Sequence, residues 1–342
     1  MEARFMTYET ISAKACPIHI KLKFQQAKRR QETLDLQKEK RDRQIHERRN
    51  FENDGCIKNW MEIDGKKSGT VPSNEAYDIA QSMMKSEWML EVPEDIDNWI
   101  AVLCPDGKRC CVIAQDNKTK VVNKFGATIN YFQSLFPYGC HVPNNCPSHR
   151  KRTVLDCLYS YKLKKYYILD IIEWMGVPYT DFDAEFRFYF IQSKLSEIPG
   201  IDKKSAKNVF PFELAPRMAA SDLYPHLLDK SQFFHENIDL DGINFYYPQS
   251  LYTPGESPLV LWLKPFMIPD VLRRPVNDQL VVKPPNYVNI FEFSQSLKKK
   301  NKRNKKKKNA SNCEKMEVDN LIEVEMDKVM DPVIENEMCI EN

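Results

Sequence analysis

The stretch Trp99-Ile-Ala-Val-Leu-Cys-Pro-Asp-Gly-Lys-Arg109, which runs straight into Cys110-Cys-Val-Ile-Ala-Gln115, decides the fold. Two short apolar runs flank a Pro-Asp-Gly turn, and runs of this length between turn residues read as strands. Similar runs return at Val154 to Tyr159, Tyr166 to Met175, Gly242 to Tyr247 and Leu259 to Phe266. Their spacing makes the strands mostly antiparallel. Helical patterning is expected from Glu75 to about Leu90, over Glu185 to Ser196, and near Ser221 to Phe234. The expected fold class is α+β: largely antiparallel sheets with flanking helices, in a core spanning residues 75–274.

Outward from that core the composition changes. Residues 51–74 contain Gly55, Gly65, Gly69 and Pro72 and read as a linker. Before it, Lys21 to Asn50 holds eleven Lys or Arg against five Asp or Glu, without Pro or Gly, so it suits a helix. Leu34, Leu36 and Ile45 do not recur at heptad spacing, so this helix is expected to have no stripe to bury against the core. A solvated, charge-laced helix is one reading, and a helix that orders inside an acidic partner is the other. Past residue 274, Lys298 to Lys308 holds nine basic residues in eleven, and Glu314 to Asn342 holds ten acids against two lysines. Residues 275–342 therefore read as a disordered tail, basic and then acidic.

The chain has 342 residues, 42% of them hydrophobic, enough for one substantial core plus arms. The net charge of +2 is a sum of segments of opposite sign. No stretch approaches the roughly twenty apolar residues of a membrane helix, and Met1 to Lys21 lacks the apolar run of a signal peptide. Ten scattered cysteines fit a reducing compartment better than a disulfide framework. A soluble protein of the cytosol or nucleus is expected, with no membrane partner.

Several blocks in order resemble the snurportins, the import adaptors of spliceosomal small nuclear ribonucleoproteins (snRNPs). In the core these are Ser86-Glu-Trp-Met-Leu-Glu-Val-Pro93, the Trp99–Arg109 stretch, Tyr167-Ile-Leu-Asp170, Phe186-Arg-Phe-Tyr189 and Pro258-Leu-Val-Leu-Trp-Leu-Lys-Pro265. In the arm, Lys28-Arg29-Arg30, then Leu34 to Arg41 with Leu36, Lys38 and Lys40, then Arg48-Arg49 look like an importin-β-binding domain. Arg and Lys spaced around a helix suit a receptor with an acidic inner surface. At residues 1–20, Met1, Phe5, Tyr8 and Ile11 fall at helical spacing, and the resemblance implies an exportin contact there. It also implies shuttling between cytoplasm and nucleus.

The core blocks are further similar to the nucleotidyltransferase domain of mRNA capping enzymes, and the differences argue against catalysis. Capping enzymes attach GMP to the lysine of Lys-x-Asp-Gly, because covalent catalysis needs an amine nucleophile. Cys104-Pro105-Asp106-Gly107 has cysteine there. An Asp-Gly-Glu motif has become Asp156-Cys157-Leu158, and a Lys-x-Lys pair reads Trp262-Leu263-Lys264. Binding without catalysis is expected, with no cofactor. The alternatives are an active guanylyltransferase with another nucleophile and a general RNA-binding protein working through the basic tail.

The ligand that the resemblance implies is the trimethylguanosine cap of small nuclear RNA. Methylation of the imidazole ring gives the base a positive charge, which an indole face attracts by roughly 0.5–2 kcal/mol. Trp262 is the implied stacking platform, with Ser86, Cys104 and Trp88 lining the pocket. Gly107, Lys108 and Arg109, with Lys124, are the implied contacts to the triphosphate. The loop around Cys140, His141, Cys146 and His149 has metal-ligand residue types, but its order and gaps match no standard knuckle, so no metal is assigned.

Overall fold

Where the chain leaves Cys104 it changes sheets, and that corner organises the molecule. The computed structural model describes residues 17–53, 78–79, 81–140, 151–228, 239–280, 282–285, 287–296 and 299. Strand β2 (Ile100–Pro105) lies in one sheet and β3 (Lys108–Gln115) in the other. Gly107 makes the turn possible: a Cβ there would sit 2.5 Å from the Tyr159 carbonyl oxygen, so no side chain fits.

The first sheet has the order β1-β12-β11-β2-β10. It is built from β1 (Met84–Trp88), β2, β10 (Arg217–Ala219), β11 (Leu240–Tyr246) and β12 (Gly255–Leu263). All its pairings are antiparallel except β1 with β12. The second sheet runs β5-β4-β3-β6-β7-β8, with β9 beside β7. Its other strands are β4 (Lys118–Asn123), β5 (Thr128–Phe132), β6 (Thr153–Ser160), β7 (Lys165–Trp174), β8 (Val177–Pro178) and β9 (Phe212–Leu214). One apolar cluster joins the sheets, with Val102, Cys104 and Val260 from the first and Cys111, Ile113, Leu158 and Leu169 from the second. The fold is α+β with mainly antiparallel sheets, as the strand runs indicated.

Two expectations change. The helix read from Glu75 to Leu90 is helical at Asp78–Ile79 and Gln81 but becomes β1 from Met84. Parallel pairing with β12 holds Met84-Lys-Ser-Glu-Trp88 extended, a tertiary effect that local propensity does not show. Packing also continues past 274: Leu280, Tyr287 and Ile290 are buried, and the Tyr287 and Phe266 rings meet edge-on with centroids 4.9 Å apart. The expected helix at Glu185–Ser196 forms as Ala184–Ser196, called α2 below, and that near Ser221 is the shorter Ala220–His226, called α3.

The basic arm is one helix, α1 (Pro17–Asn53), and it lies against the core. Gln26 is fully buried and Gln37 nearly so, and Leu22, Arg30, Leu34, Arg41 and Gln44 are half-buried around them. These positions recur every three or four residues, so the helix does have a buried stripe. It was invisible to a hydropathy reading because its members are mostly polar. Among the described residues no helix is long and apolar enough to cross a membrane.

Candidate functional site

Cys104 stands next to the last residue of β2, in the apolar cluster that joins the sheets, and is 2% exposed. Its Sγ lies 3.7 Å from the Val102 carbonyl oxygen and accepts from Asn244 Nδ2 at 3.6 Å. Burial pushes its thiol up to about 12, so it stays neutral at physiological pH. A neutral, enclosed sulfur is a poor nucleophile.

Trp262 stands on β12, where register makes it the partner of Trp88 on β1 and Asn244 on β11. It is half-buried. The indole lies over Gly242: a Cβ at that glycine would meet Cζ2 at 2.3 Å and Cη2 at 2.4 Å. Lys264 Nζ sits 5.8 Å from the ring centroid and is paired with Asp241. Ser86, half-buried, is in register with Ser257 on the same side of the sheet order as Trp88. Ser86, Trp88, Cys104 and Trp262 thus stand on three strands of one sheet, with β11 between β12 and β2.

The basic residues separate into two kinds. Lys108 is exposed at the start of β3. Arg109 next to it donates from Nε to Asp156 Oδ1 at 2.9 Å and from Nη2 to Asp156 Oδ2 and the Met84 carbonyl oxygen. Asp156 is fully buried and also accepts from the Tyr252 hydroxyl at 2.9 Å. Burial works against the Arg109 charge, and the Asp156 carboxylate outweighs it, so the guanidinium is held firmly cationic. Arg109 therefore ties the second sheet to β1, with most of its donors committed. Lys124 is exposed on the β4–β5 turn, its Nζ 4.9 Å from the Phe125 ring centroid. Cys110 pairs with Asn123, so Lys124 lies at the level of Arg109, one strand away.

Gly242, Asn244 and Tyr252 belong to this site and were not singled out from the sequence, while Asp156 was noted there only as part of an altered motif. Asn244 is 5% exposed and its Oδ1 has no hydrogen-bond partner. The glycine of Asp241-Gly242 reads as an ordinary turn signal, and only the indole lying over it reveals its use. Of the Cys140/His141/Cys146/His149 loop, Cys140 is buried, and 141–150 lie outside the described residues. The exportin expectation at residues 1–16 and the tail beyond 299 lie outside them as well.

The sequence profile described as "Snurportin1, m3G cap-binding domain" matches residues 82–265, just over half of the chain. The chain belongs to the snurportin family. The matched segment opens just before β1 and closes after Trp262 and Lys264, so Ser86, Trp88, Cys104 and Trp262 all lie inside the snurportin cap-binding domain. Among solved structures, one titled "Pmar-Lig_PreS3" aligns at 10% identity with a TM-score of 0.36, covering 54% of this chain and 46% of that one. A Chlorella virus DNA ligase–adenylate aligns at 13% identity with a TM-score of 0.34, covering 54% and 68%. A Lig E DNA ligase aligns at 9% identity with a TM-score of 0.33, covering 53% and 68%. The snurportin chain thus spans just under half the length of the first of these.

Proposed function

We propose that this snurportin-family chain binds the trimethylguanosine cap of small nuclear RNA beside Trp262. On this reading it links the capped particle to importin-β through α1 and transfers no chemical group. One observation carries it: a half-buried indole is seated over Gly242, whose register partner on β2 is Cys104, a thiol that burial keeps neutral. The indole face suits a cationic methylated base. The neutral sulfur suits the two methyl groups of an exocyclic amine that has lost its donors.

The arm supports the import half of the reading through its chemistry. Lys28, Leu36, Lys38 and Arg49 are exposed and available to an acidic receptor. Arg29 and Lys40 are exposed too, with partners on the core, while Arg30 pairs with Glu91 and Leu34 and Arg41 are half-buried. An exportin that returns the adaptor to the cytoplasm, and shuttling between cytoplasm and nucleus, complete the reading.

The test is tryptophan-fluorescence titration with trimethylguanosine, monomethylguanosine and unmethylated GTP ligands at physiological salt. Preference for the trimethylated ligand is expected. Equal binding of all three overturns the cap reading.

A further inference from the structure

We propose that the core carries a docking surface for its own basic arm, and that this surface competes with the acidic receptor for the same helix. The inference rests on the import reading above for the identity of the competitor, while the dock itself stands on contacts within the chain.

Gln26 is the centre of the dock. Its Nε2 donates to the Trp88 carbonyl oxygen at 2.8 Å and to Glu87 Oε2 at 3.0 Å. Its Oε1 accepts from the backbone N–H groups of Leu90 at 2.9 Å and Glu91 at 3.0 Å. β1 is the terminal strand of its sheet, and a terminal strand leaves backbone groups without a ladder partner. One glutamine amide adds partners just past β1, using donor and acceptor together: Trp88 C=O and Leu90 N–H, which also bond each other at 2.8 Å, and Glu91 N–H. A fully buried glutamine on a charge-rich helix has no place in a solvated arm, since a buried amide without partners is costly.

Carboxylates of the core extend the contact along the helix. Arg29 Nη2 meets Glu87 at 2.7 Å, and Arg30 pairs with Glu91 while its Cζ lies 5.9 Å from the buried Trp99 ring centroid. Gln37 Oε1 accepts from Leu251 N at 3.4 Å, and Lys40 Nζ reaches Asp181 Oδ1 at 2.6 Å. From Gln26 to Lys40 the helix covers about 21 Å of core. Arg29, Arg30 and Lys40 are three of the cations that the import reading gives to the receptor. The receptor's acidic surface has to replace Glu87, Glu91 and Asp181, so only the undocked fraction of the chain is ready to bind.

Two variants of the full-length protein separate dock from receptor. Gln26→Ala removes the amide without touching an arm cation, and the Glu87→Gln/Glu91→Gln pair weakens the core side without touching the arm. Hydrogen exchange of the free proteins is read at the Glu91 amide, whose partner is the Gln26 side chain. Protection is expected in the unaltered protein and lost in Gln26→Ala, with Ala101 to Leu103 on β2 unchanged. Importin-β affinity is expected to rise about tenfold in both variants, the gain from a larger undocked fraction. Unchanged protection at Glu91 in Gln26→Ala overturns the dock, and unchanged or weaker importin-β binding in both variants overturns the competition. If none of the three proteins binds importin-β, the import reading fails, and the exchange at Glu91 alone then decides whether the dock exists.

Discussion

The indole of Trp262 occupies the space in which a side chain at residue 242 would stand: a Cβ on Gly242 would lie 2.3 Å from Cζ2. The platform and the glycine under it are therefore one device. Real Cβ contacts are essentially never so short, and the same Cβ would lie 2.7 Å from the Leu263 carbonyl oxygen, so Gly242→Ala has to displace the ring and shift the β12 backbone beside it. In protein that still folds, the expected result is a loss of trimethylguanosine-cap affinity of about 2- to 30-fold, the lost cation–π attraction. Trp262→Ala should cost at least as much. Fluorescence or calorimetric titration measures both, with circular dichroism as the check on folding. Normal cap affinity in a folded Gly242→Ala protein would show that the indole does not hold the base.

Cys104 gives a second prediction, because it is the nucleophile-type side chain at the proposed cap site. Its thiol is neutral and buried, so incubation with labelled GTP and magnesium should leave no nucleotide attached to the protein. A covalent adduct would overturn the non-catalytic reading. The pH dependence has a definite sign. Folding raises this thiol from 9.0 to about 12, so its protonated form is favoured in the folded state. That contribution to stability is complete below pH 9 and is lost as pH climbs from 9 toward 12. Thermal melts in alkaline buffers should fall over that window, and less steeply in Cys104→Ala.

Arg187 and Asp170 pin helix α2 to β7, and both side chains are fully buried. Nε and Nη2 of Arg187 meet the two carboxylate oxygens at 2.9 and 2.8 Å, while Nη1 donates to the Phe182 and Ser250 carbonyl oxygens. Removing one partner strands a buried charge. Arg187→Met should therefore lower stability by about 3–5 kcal/mol, and Arg187→Met with Asp170→Leu should recover a large part of it. Urea denaturation compares the single and double variants. A double variant as unstable as the single one would mean that the carbonyl contacts, rather than the ion pair, do the anchoring.

How much of this was legible in the sequence depends on what kind of signal each element carries. β6 and β7 are buried almost from end to end and therefore read as continuous apolar runs. Trp262 and Cys104 stand out in the sequence because they differ chemically from the motif their surroundings resemble. β1 was misread because Met84-Lys-Ser-Glu-Trp88 is extended only through its partner β12, which lies far away in sequence. The buried stripe of α1 was missed for a different reason. Gln26, Arg30 and Gln37 dock by hydrogen bonds and ion pairs, and hydropathy patterns are blind to a polar interface.

The phosphate contacts give the last prediction, because the structure treats adjacent cations differently. Sequence reasoning grouped Arg109 with Lys108 and Lys124 at the triphosphate, yet Arg109 spends Nε and Nη2 on Asp156 and on the Met84 carbonyl oxygen. Lys108 and Lys124 are exposed and lie at the same end of the second sheet. Each cation that neutralises a phosphate of a single-stranded ligand contributes about −0.7 to the slope of log affinity against log salt. Lys108→Ala combined with Lys124→Ala should therefore flatten that slope by about 1.4 with no change in melting temperature. Arg109→Lys should do the reverse, leaving the slope nearly unchanged while lowering the melting temperature, because a lysine cannot make both bonds to Asp156 and reach Met84 as well. Binding of a capped oligonucleotide across a salt series measures the slopes. If Arg109→Lys flattens the slope and the lysine pair does not, then Arg109 turns away from Asp156 when RNA arrives, and the two sheets are held together at that corner only in the free protein.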